Sequence, residues 1–168
     1  RSRLLAYPQF CGDVTGANQR RALHASRAQL LAHYVSLIKM KDLAIIVLCY
    51  NSREHLPRCL GSLRTAMNGV DATAFLVDNA STDGSAVYVQ SDFKWCTVIR
   101  SQRNGGYSYG NNLGLRAAGF PEEPLFRYVM LLNPDTELPT YALRDMLAYM
   151  QDNPSIGVLG PKLLLDDG

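Results

Sequence analysis

An uninterrupted apolar run, LAIIVLC at residues 43–49, is the feature that most constrains what this chain can fold into. A strand buried on both faces of a sheet is apolar at every position, whereas a half-exposed strand alternates apolar and polar residues. The run spans seven residues, far fewer than the ~20 that a membrane-spanning helix needs. It therefore predicts a central strand of a sheet that has helices on both of its faces.

Strand-like and helix-like segments alternate after this run, and turn residues separate them. Further strands are predicted at 73–78, 96–100, 127–133 and 156–160, and a sixth is expected to start within 162–165. Helices are predicted at 54–67, 84–91, 108–119 and 139–151, the last opened by Pro139, which the first turn of a helix tolerates. This alternation is typical of an α/β fold with a parallel sheet.

Polar clusters follow the first four predicted strands at their carboxyl ends. The clusters are Tyr50–Asn51, Asp78–Asn79, Arg103–Gly106 and Asn133–Asp135. Parallel sheets bind ligands just outside the carboxyl ends of their strands. We therefore expect the four clusters to converge on one edge of the sheet and to form the site.

Two aspartates in VDNASTDGS (77–85) are open to a functional and a structural interpretation. Asp78 ends a buried strand, where its carboxylate could accept a hydrogen bond from a ligand N–H such as a pyrimidine imide. Alternatively, it caps the turn or helix that follows, as Asp, Asn, Ser and Thr often do. Asp83, directly before Gly84, is more typical of an ordinary turn.

The segment 100–118 is rich in Gly and Asn. Gly105 and Gly106 permit positive φ angles, and the helix that follows would aim its N-terminal N–H groups at an anion. Arg103 would add a positive charge for a phosphate. The alternative is a tight strand-to-helix loop in which Gly114 only allows close helix packing. Neither a GxGxxG nor a GxxxxGK[ST] motif is present, so the Rossmann and Walker fingerprints are absent from the sequence.

The segment LLNPDTEL (131–138) carries Asn133, Asp135 and Glu137 at alternate positions after an apolar strand. A hard divalent cation prefers oxygen ligands and often bridges one or two carboxylates and a substrate diphosphate. The alternative is a turn in which Asp135 or Thr136 caps the next helix.

Charge and cysteine usage exclude several classes of protein. Residues 42–168 carry ten basic and fourteen acidic side chains, a net charge of −4, which argues against a nucleic-acid-binding face. The four cysteines form no CxxC pair, so they predict neither a zinc site nor a disulfide framework. A reducing, cytoplasmic compartment is therefore expected.

Five ordered segments together resemble the family 2 glycosyltransferases, in particular the rhamnosyltransferase-like branch that builds bacterial surface polysaccharides. They are LAIIVLCYNSREHLPRCLGSL, FLVDNASTDGSAV, VIRSQRNGGYSYGNNLGLRAA, YVMLLNPDTELPTYALRDML and IGVLGPKLLLDDG. The resemblance runs from about Lys41 to Gly168. It implies a GT-A fold, a Rossmann-like three-layer sandwich with a mostly parallel sheet. It also implies inverting transfer of a sugar, rhamnose being one candidate, from a dTDP- or UDP-sugar to a glycan or polyprenyl-linked acceptor.

The resemblance further implies which positions bind the nucleotide sugar. They are Tyr50, Asn51, Asp78, Arg103, Asn104, Gly105, Asn111, Asn112 and Asn133. Among these, Tyr50 and Asn51 would lie along the nucleoside and Asp78 would contact the pyrimidine base. The family's Asp-x-Asp metal motif is here Asn133-Pro134-Asp135, which leaves Asp135 as the main carboxylate for Mg²⁺ or Mn²⁺.

Transfer also requires a general base that takes the proton of the acceptor hydroxyl. The resemblance places that base in an acceptor-binding half beyond Gly168, and Asp166 and Asp167 are expected to be solvated turn residues. Residues 40–168 are thus expected to be the incomplete, C-terminally truncated donor part of a GT-A domain, which binds a donor but is inactive alone. The alternatives are a non-catalytic nucleotide-sugar-binding module or an inactive partner subunit. A nucleotidyltransferase is disfavoured because no Gly-rich, Arg-containing loop follows the first strand.

Residues 1–39 do not match the family and are predicted to be a basic helical extension. Apolar residues recur at helical spacing from Leu23 to Ile38, among Arg20, Arg21 and Arg27. Such a helix can lie on an anionic membrane surface, which would put the protein at the inner face of the plasma membrane. The alternatives are the tail of an upstream domain or translation from upstream of a start at Met40.

Overall fold

The computed structural model describes residues 40–164, in which four strands and four helices alternate along the chain. The strands are β1 (Lys41–Cys49), β2 (Ala72–Asp78), β3 (Thr97–Arg100) and β4 (Phe126–Leu132). The helices are α1 (Leu56–Ala66), α2 (Ser85–Asp92), α3 (Gly106–Ala117) and α4 (Ala142–Asp152). The predicted extension at 1–39 and the residues Asp166 and Asp167 lie outside the described part.

All four strands are parallel and lie in the order β3-β2-β1-β4. The predicted α/β class with a parallel sheet is therefore confirmed. In the register, Cys49 of β1 lies opposite Asp78 of β2, and Asp78 lies opposite Arg100 of β3. The chain steps outward from β1 to β3 and then crosses to the other side of β1 to form β4. The carboxyl ends of β1 and β4 thus flank a topological switch point, the usual ligand crevice of such sheets.

The helices cover the two faces of the sheet unequally. Helices α1, α2 and α4 pack on the face of β1 that carries Ile45 and Val47, and they bury a large cluster of Leu, Val and Cys side chains. Helix α3 packs on the opposite face, where Gly110 and Gly114 lie against side chains of β1. This gives the three layers that the resemblance implies, with helices on both faces of the sheet.

The predicted fifth strand at 156–160 is wrong, and residues 162–164 likewise form no strand. Val158 and Leu163 are 90% and 81% exposed. A strand needs ladder partners for its N–H and C=O groups, and the described residues pair β4 with β1 alone. Gly157 and Gly160 weaken a strand, and Pro161 cannot donate to a ladder. The segment is apolar, but no strand lies next to it to complete a ladder.

Within residues 40–164, none of the helices has both the length and the apolar composition that crossing a membrane would require.

Candidate functional site

A cleft with a volume of about 340 Å³ lies at the carboxyl edge of the sheet. One or more members of each of the four polar clusters line it. The lining residues are Leu48, Tyr50, Ser52, Asn79, Asn104, Gly106, Tyr107, Asn133 and Pro134. The structure thus brings Tyr50, Asn104 and Asn133 together at the switch point, as the positions of the strands predict. We call this space the carboxyl-edge cleft.

A larger cavity of about 560 Å³ lies between β4, α4 and residues 157–161. Its lining is mainly Leu, Met and Val, and Arg127 is the one charged side chain that the described residues contribute to it. Binding sites combine an apolar surface with several convergent polar groups. The carboxyl-edge cleft has such groups and is the better candidate, although it is smaller.

The loops after β1 and β2 are joined to each other by hydrogen bonds. Asn51 adopts a left-handed conformation with φ of 50°, which Asn tolerates better than most residues. Its side-chain Oδ1 accepts from the backbone N–H of Thr82 at 2.8 Å, and its own N–H donates to Ser81 Oγ at 3.0 Å. Asn51 therefore shapes the loops beside the cleft, while the half-exposed ring of Tyr50 lines it.

Asp83 belongs to the same pair of loops and acts as a local cap. Its Oδ1 accepts from the N–H and Oγ of Ser85 at 3.0 and 2.6 Å, and its Oδ2 accepts from the Arg53 N–H at 2.9 Å. Desolvation, the largest single influence, raises its pKa, but these hydrogen bonds together hold the pKa of Asp83 below its usual value. The structural interpretation of Asp83 is the one that the geometry supports.

Asp78 lies beside the carboxyl-edge cleft and is not among its lining residues. Its side chain is 5% exposed, and Oδ1 accepts from the Ser81 N–H at 3.2 Å. Successive residues of a strand point to opposite faces. Asp78 shares the face of Leu76, under the larger cluster, whereas the next residue, Asn79, turns toward the cleft. Of the predicted cluster Asp78–Asn79, it is therefore Asn79 that lines the cleft.

Asn79 connects the end of β2 to the loop between β3 and α3. Its Nδ2 donates to Asn104 Oδ1 at 2.8 Å and to the Gly106 carbonyl at 3.3 Å. Its Oδ1 accepts from the Gly105 N–H at 3.2 Å. Asn104 also accepts from the Gly106 N–H at 2.9 Å. The polar loop is thus folded around one buried carboxamide.

The other predicted positions of this loop, Arg103 and Gly105, are not among the residues that line the cleft. The exposed Arg103 guanidinium lies 5.2 Å from the Tyr109 ring centroid. Tyr109 also leaves no room for a Cβ at Gly105, which explains the glycine there. Hydrogen bonds with Ser101 and Arg103 side chains lower the pKa of Tyr109. Arg103 therefore lies on the loop surface beside Tyr109.

Asn111 and Asn112, both predicted to bind the nucleotide sugar, occupy different environments on α3. Asn112 is exposed. Asn111 is 4% exposed, and its Nδ2 donates to the carbonyl of the cleft residue Tyr107 at 3.1 Å. Its Oδ1 has no hydrogen-bond partner among the described residues. Buried acceptors are normally satisfied, so Asn111 presents one open acceptor within α3.

Helix α1 supports the segment after β4 through its own side chains. Cys59 Sγ donates to the Asn133 carbonyl at 3.7 Å, and Ser62 Oγ accepts from the Leu138 N–H at 3.1 Å. Burial, followed by the negative charge of Asp135, raises the pKa of Cys59 to about 12, so its thiol stays protonated. The sequence pattern identified α1 as a helix but gave no indication of this support.

The carboxylates of this segment differ in their availability for a metal. Glu137 is paired with Arg58, Nε to Oε1 at 2.6 Å. The exposed Asp135 makes no hydrogen bond or ion pair with the described residues. No group of three or more His, Cys, Asp or Glu residues in 40–164 could hold an ion by itself. Asp135, with Asn133 beside it, therefore fits a Mg²⁺-type site that shares its cation with a substrate phosphate.

Comparison with known families and proteins identifies relatives of this chain. The model of "Glycosyl transferase family 2" matches residues 44–163. The low-salt glycan biosynthesis hexosyltransferase Agl10 of Haloferax volcanii is 30% identical over 134 residues, covering 77% of this chain and 39% of that protein. The N-acetylglucosaminyl-diphospho-decaprenol L-rhamnosyltransferase of Mycobacterium tuberculosis is 28% identical over 131 residues, covering 75% and 42%. The chain thus spans about two fifths of the length of these relatives.

Solved structures share the fold. S. aureus TarS 1-349 in complex with UDP-GlcNAc aligns with a TM-score of 0.58 and 23% identity, covering 67% of this chain and 32% of that one. The mannosyltransferase PcManGT from Pyrobaculum calidifontis, in complex with GDP-Man and Mn²⁺, aligns with a TM-score of 0.55 and 18% identity, covering 68% and 34%. At these identities the likeness concerns the fold alone, and it confirms the expected GT-A architecture.

Proposed function

This chain belongs to glycosyl transferase family 2, and we propose that it is the donor-binding part of an inverting enzyme. The donor is a dTDP- or UDP-sugar, with rhamnose or a hexose as the transferred group, and the acceptor is a glycan or a polyprenyl-linked sugar. One observation carries the proposal: the carboxyl-edge cleft gathers Tyr50, Asn79, Asn104 and Asn133 at the switch point between β1 and β4.

The matched proteins support this choice of substrates. The curated relatives are named as a hexosyltransferase and as a rhamnosyltransferase acting on a decaprenol-linked sugar. Two of the solved structures hold UDP-GlcNAc and GDP-Man. A nucleoside diphosphate sugar is the chemistry common to those two complexes, and a cleft lined by an aromatic ring, amides and a helix start suits it.

Different residues at the cleft bind different parts of the donor. The Tyr50 ring packs along the nucleoside, and Asn133 and Asn104 offer hydrogen bonds to its polar groups. The first turn of α3 directs N–H groups toward the diphosphate, where Arg103 adds a positive charge. Asp135 would hold the divalent cation, which when bound neutralises the charge that develops on the leaving diphosphate.

The acceptor hydroxyl must also lose a proton to a general base. We place that base in the portion of the longer relatives that this chain does not span. This chain on its own is then expected to bind the donor and to transfer little or no sugar.

The proposed cellular location is the cytoplasm, with a peripheral contact at the inner face of the plasma membrane. The basic, amphipathic pattern in residues 20–39 supports that contact, because basic helices bind anionic lipid surfaces. A membrane location would also suit a polyprenyl-linked acceptor.

Titration calorimetry of the full chain with UDP, dTDP and GDP, with and without Mg²⁺ or Mn²⁺, tests the proposal. We expect metal-dependent binding that Asp135→Ala weakens by tenfold or more, or about 1.4 kcal/mol. Asp152→Ala, which removes an exposed carboxylate at the far end of α4, is the matched control and should bind like the wild type.

Two results would contradict parts of this proposal. Nucleotide binding that ignores both the metal and the Asp135→Ala change would rule out a metal role for Asp135 and favour a non-catalytic binding module. A folded chain that binds none of the three nucleotides would rule out the donor-binding function.

A further inference from the structure

We infer that Asn79 is a positioning residue of the donor site: its buried carboxamide fixes the β3–α3 loop that forms one wall of the carboxyl-edge cleft. This inference rests on the proposed donor-binding function. It extends that function by assigning a role to a residue outside the predicted set of ligand contacts.

The hydrogen bonds of the Asn79 side chain are all made within the protein. The residue is 3% exposed, and Nδ2 uses both of its donors, on Asn104 Oδ1 and on the Gly106 carbonyl. Oδ1 accepts from the Gly105 N–H. Three of the four hydrogen bonds that a carboxamide can make are thus made to the loop, and one lone pair of Oδ1 remains. Most of its effect on ligand binding should therefore pass through the loop.

The position of Asn79 is itself fixed by the sheet. Its backbone N–H donates to the Cys49 carbonyl at 2.8 Å, which extends the β1–β2 ladder by one step beyond Asp78. The carboxamide is thus carried at the end of the β1–β2 ladder. It acts as a fixed support against which a polar loop of five or so residues is folded.

The loop has a second anchor that does not depend on Asn79. Ser101 Oγ donates to the Arg103 carbonyl at 2.6 Å, which holds the part of the loop nearest β3. Asn79 holds the other part, which contains the cleft residues Asn104 and Gly106. Loss of its side chain should therefore release the cleft wall and leave the start of the loop in place.

The released part also determines where α3 begins. Gly106 is the first residue of α3, and both its N–H and its carbonyl belong to the network of Asn79 and Asn104. A shift here moves the N–H groups of the first helical turn together with Asn104. Both would then be misplaced relative to a nucleoside diphosphate, and affinity falls when recognition groups are not preorganised.

A double-mutant cycle on nucleotide binding by the full chain tests the inference. The variants are Asn79→Ala, Asn104→Ala and the double variant, titrated with whichever of UDP and dTDP binds the wild type more tightly. We expect Asn79→Ala to raise the Kd about tenfold. The Kd of the double variant should be about equal to that of whichever single variant binds less tightly. Such non-additivity is the mark of two residues that act through one contact.

Asn153→Ala is the matched control for loss of a carboxamide. Asn153 donates from Nδ2 to the Tyr149 carbonyl at 2.9 Å at the end of α4, away from the cleft. It should bind nucleotide like the wild type. Thermal melting of every variant sets the titration temperature, so that all of them are folded when the affinities are compared. If Asn79→Ala does not fold, Asn79→Ser, whose hydroxyl is too short to span the same contacts, takes its place in the cycle.

The outcomes separate this inference from the function on which it rests. If the wild type binds and the folded Asn79 variant binds within twofold of it, the positioning role is overturned while the donor function stands. Strictly additive losses would equally overturn it, because Asn79 would then not act through Asn104. If the wild type binds neither nucleotide, the donor function fails, and the role assigned to Asn79 fails with it.

Discussion

The two faces of the sheet are covered in different ways. On one face, α1, α2 and α4 pack on the sheet in one extended cluster, which includes Leu60 of α1, Leu76 of β2 and Leu147 of α4. On the other face, α3 is the one helix that residues 40–164 contribute, and the cluster of buried side chains there is small. Its members are Ala44, Phe75, Ala118 and Phe126. There Gly110 and Gly114 bring the backbone of α3 against Leu48 and Ile46.

The two faces therefore make different contributions: one supplies most of the stability of the fold, and the other sets the position of α3. Buried apolar area contributes about 25 cal/mol per Å², so the face with the extended cluster should supply most of the folding free energy. The α3 face buries less, but its glycines set how closely the helix approaches β1. Because α3 begins at the cleft residue Gly106, that close approach also determines where the wall of the carboxyl-edge cleft lies.

The largest expected loss of stability is for a substitution in the extended cluster. Leu76→Ala removes a fully buried side chain from it and should lower the free energy of unfolding by about 2–5 kcal/mol. Leu163→Ala removes the same atoms from an exposed position in the segment after α4, and its effect should stay within about 0.5 kcal/mol. Urea denaturation of both variants measures the contrast. Equal losses of unfolding free energy in the two variants would show that residues 156–164 are packed as firmly as β2.

The next effect concerns the close approach of α3. A Cβ at Gly114 would lie 2.5 Å from Ile46 Cγ2, so Gly114→Ala should destabilise the fold by about 1–3 kcal/mol. Gly61→Ala, on the exposed side of α1 with nothing within 4 Å, should instead stabilise it by about 0.5–1 kcal/mol. Chemical denaturation measures the change in the free energy of unfolding for each variant, and the two changes should have opposite signs. A Gly114→Ala variant as stable as the wild type would mean that α3 can move outward without cost.

The smallest expected loss of stability is for a substitution in the loop that leads into α2, on the face with the extended cluster. The pKa of Asp83 is lower in the folded protein than its unfolded value of about 3.9. Its contribution to stability is therefore fully present above that value and is lost as the pH falls through the lower folded-state pKa. At neutral pH, Asp83→Asn should lower the free energy of unfolding by at most about 1 kcal/mol, the usual net contribution of a hydrogen bond.

Thermal melting between pH 7 and pH 3 measures this contribution. The difference in Tm between wild type and Asp83→Asn should shrink toward the acid end of the range. Asp152→Asn, which changes an exposed carboxylate at the end of α4, should show a small difference that does not vary in this way. A constant gap for Asp83→Asn would mean that its carboxylate charge contributes nothing to the cap.

The strands and helices of the described region were predictable because each has a strong local signal. The strand predicted at 43–49 is observed as Lys41–Cys49, and the one predicted at 127–133 as Phe126–Leu132. The segment at 156–160 carries a similar apolar signal but no strand, since apolarity shows that a segment avoids water and not that a ladder partner lies beside it. Tertiary pairing decided that difference.

The candidate site was predictable at the level of clusters and less so at the level of side chains. Turn residues after parallel strands must converge on one edge, and Tyr50, Asn104 and Asn133 do so. The pair Asp78–Asn79 shows the limit of this reasoning. Alternation along a strand implies that the two point to opposite faces, but the sequence does not say which face borders the cleft.

The sequence by itself determined the α/β architecture, the membership of a glycosyltransferase family and the edge of the sheet where the site lies. These properties depend on periodicity and on ordered motifs, which are local in the chain. Only the tertiary structure decided that Glu137 pairs with Arg58 while Asp135 stays available, and that Asn79 supports the cleft wall. Those roles depend on contacts between residues that are distant in the sequence, and their geometry exists only once the strands have paired.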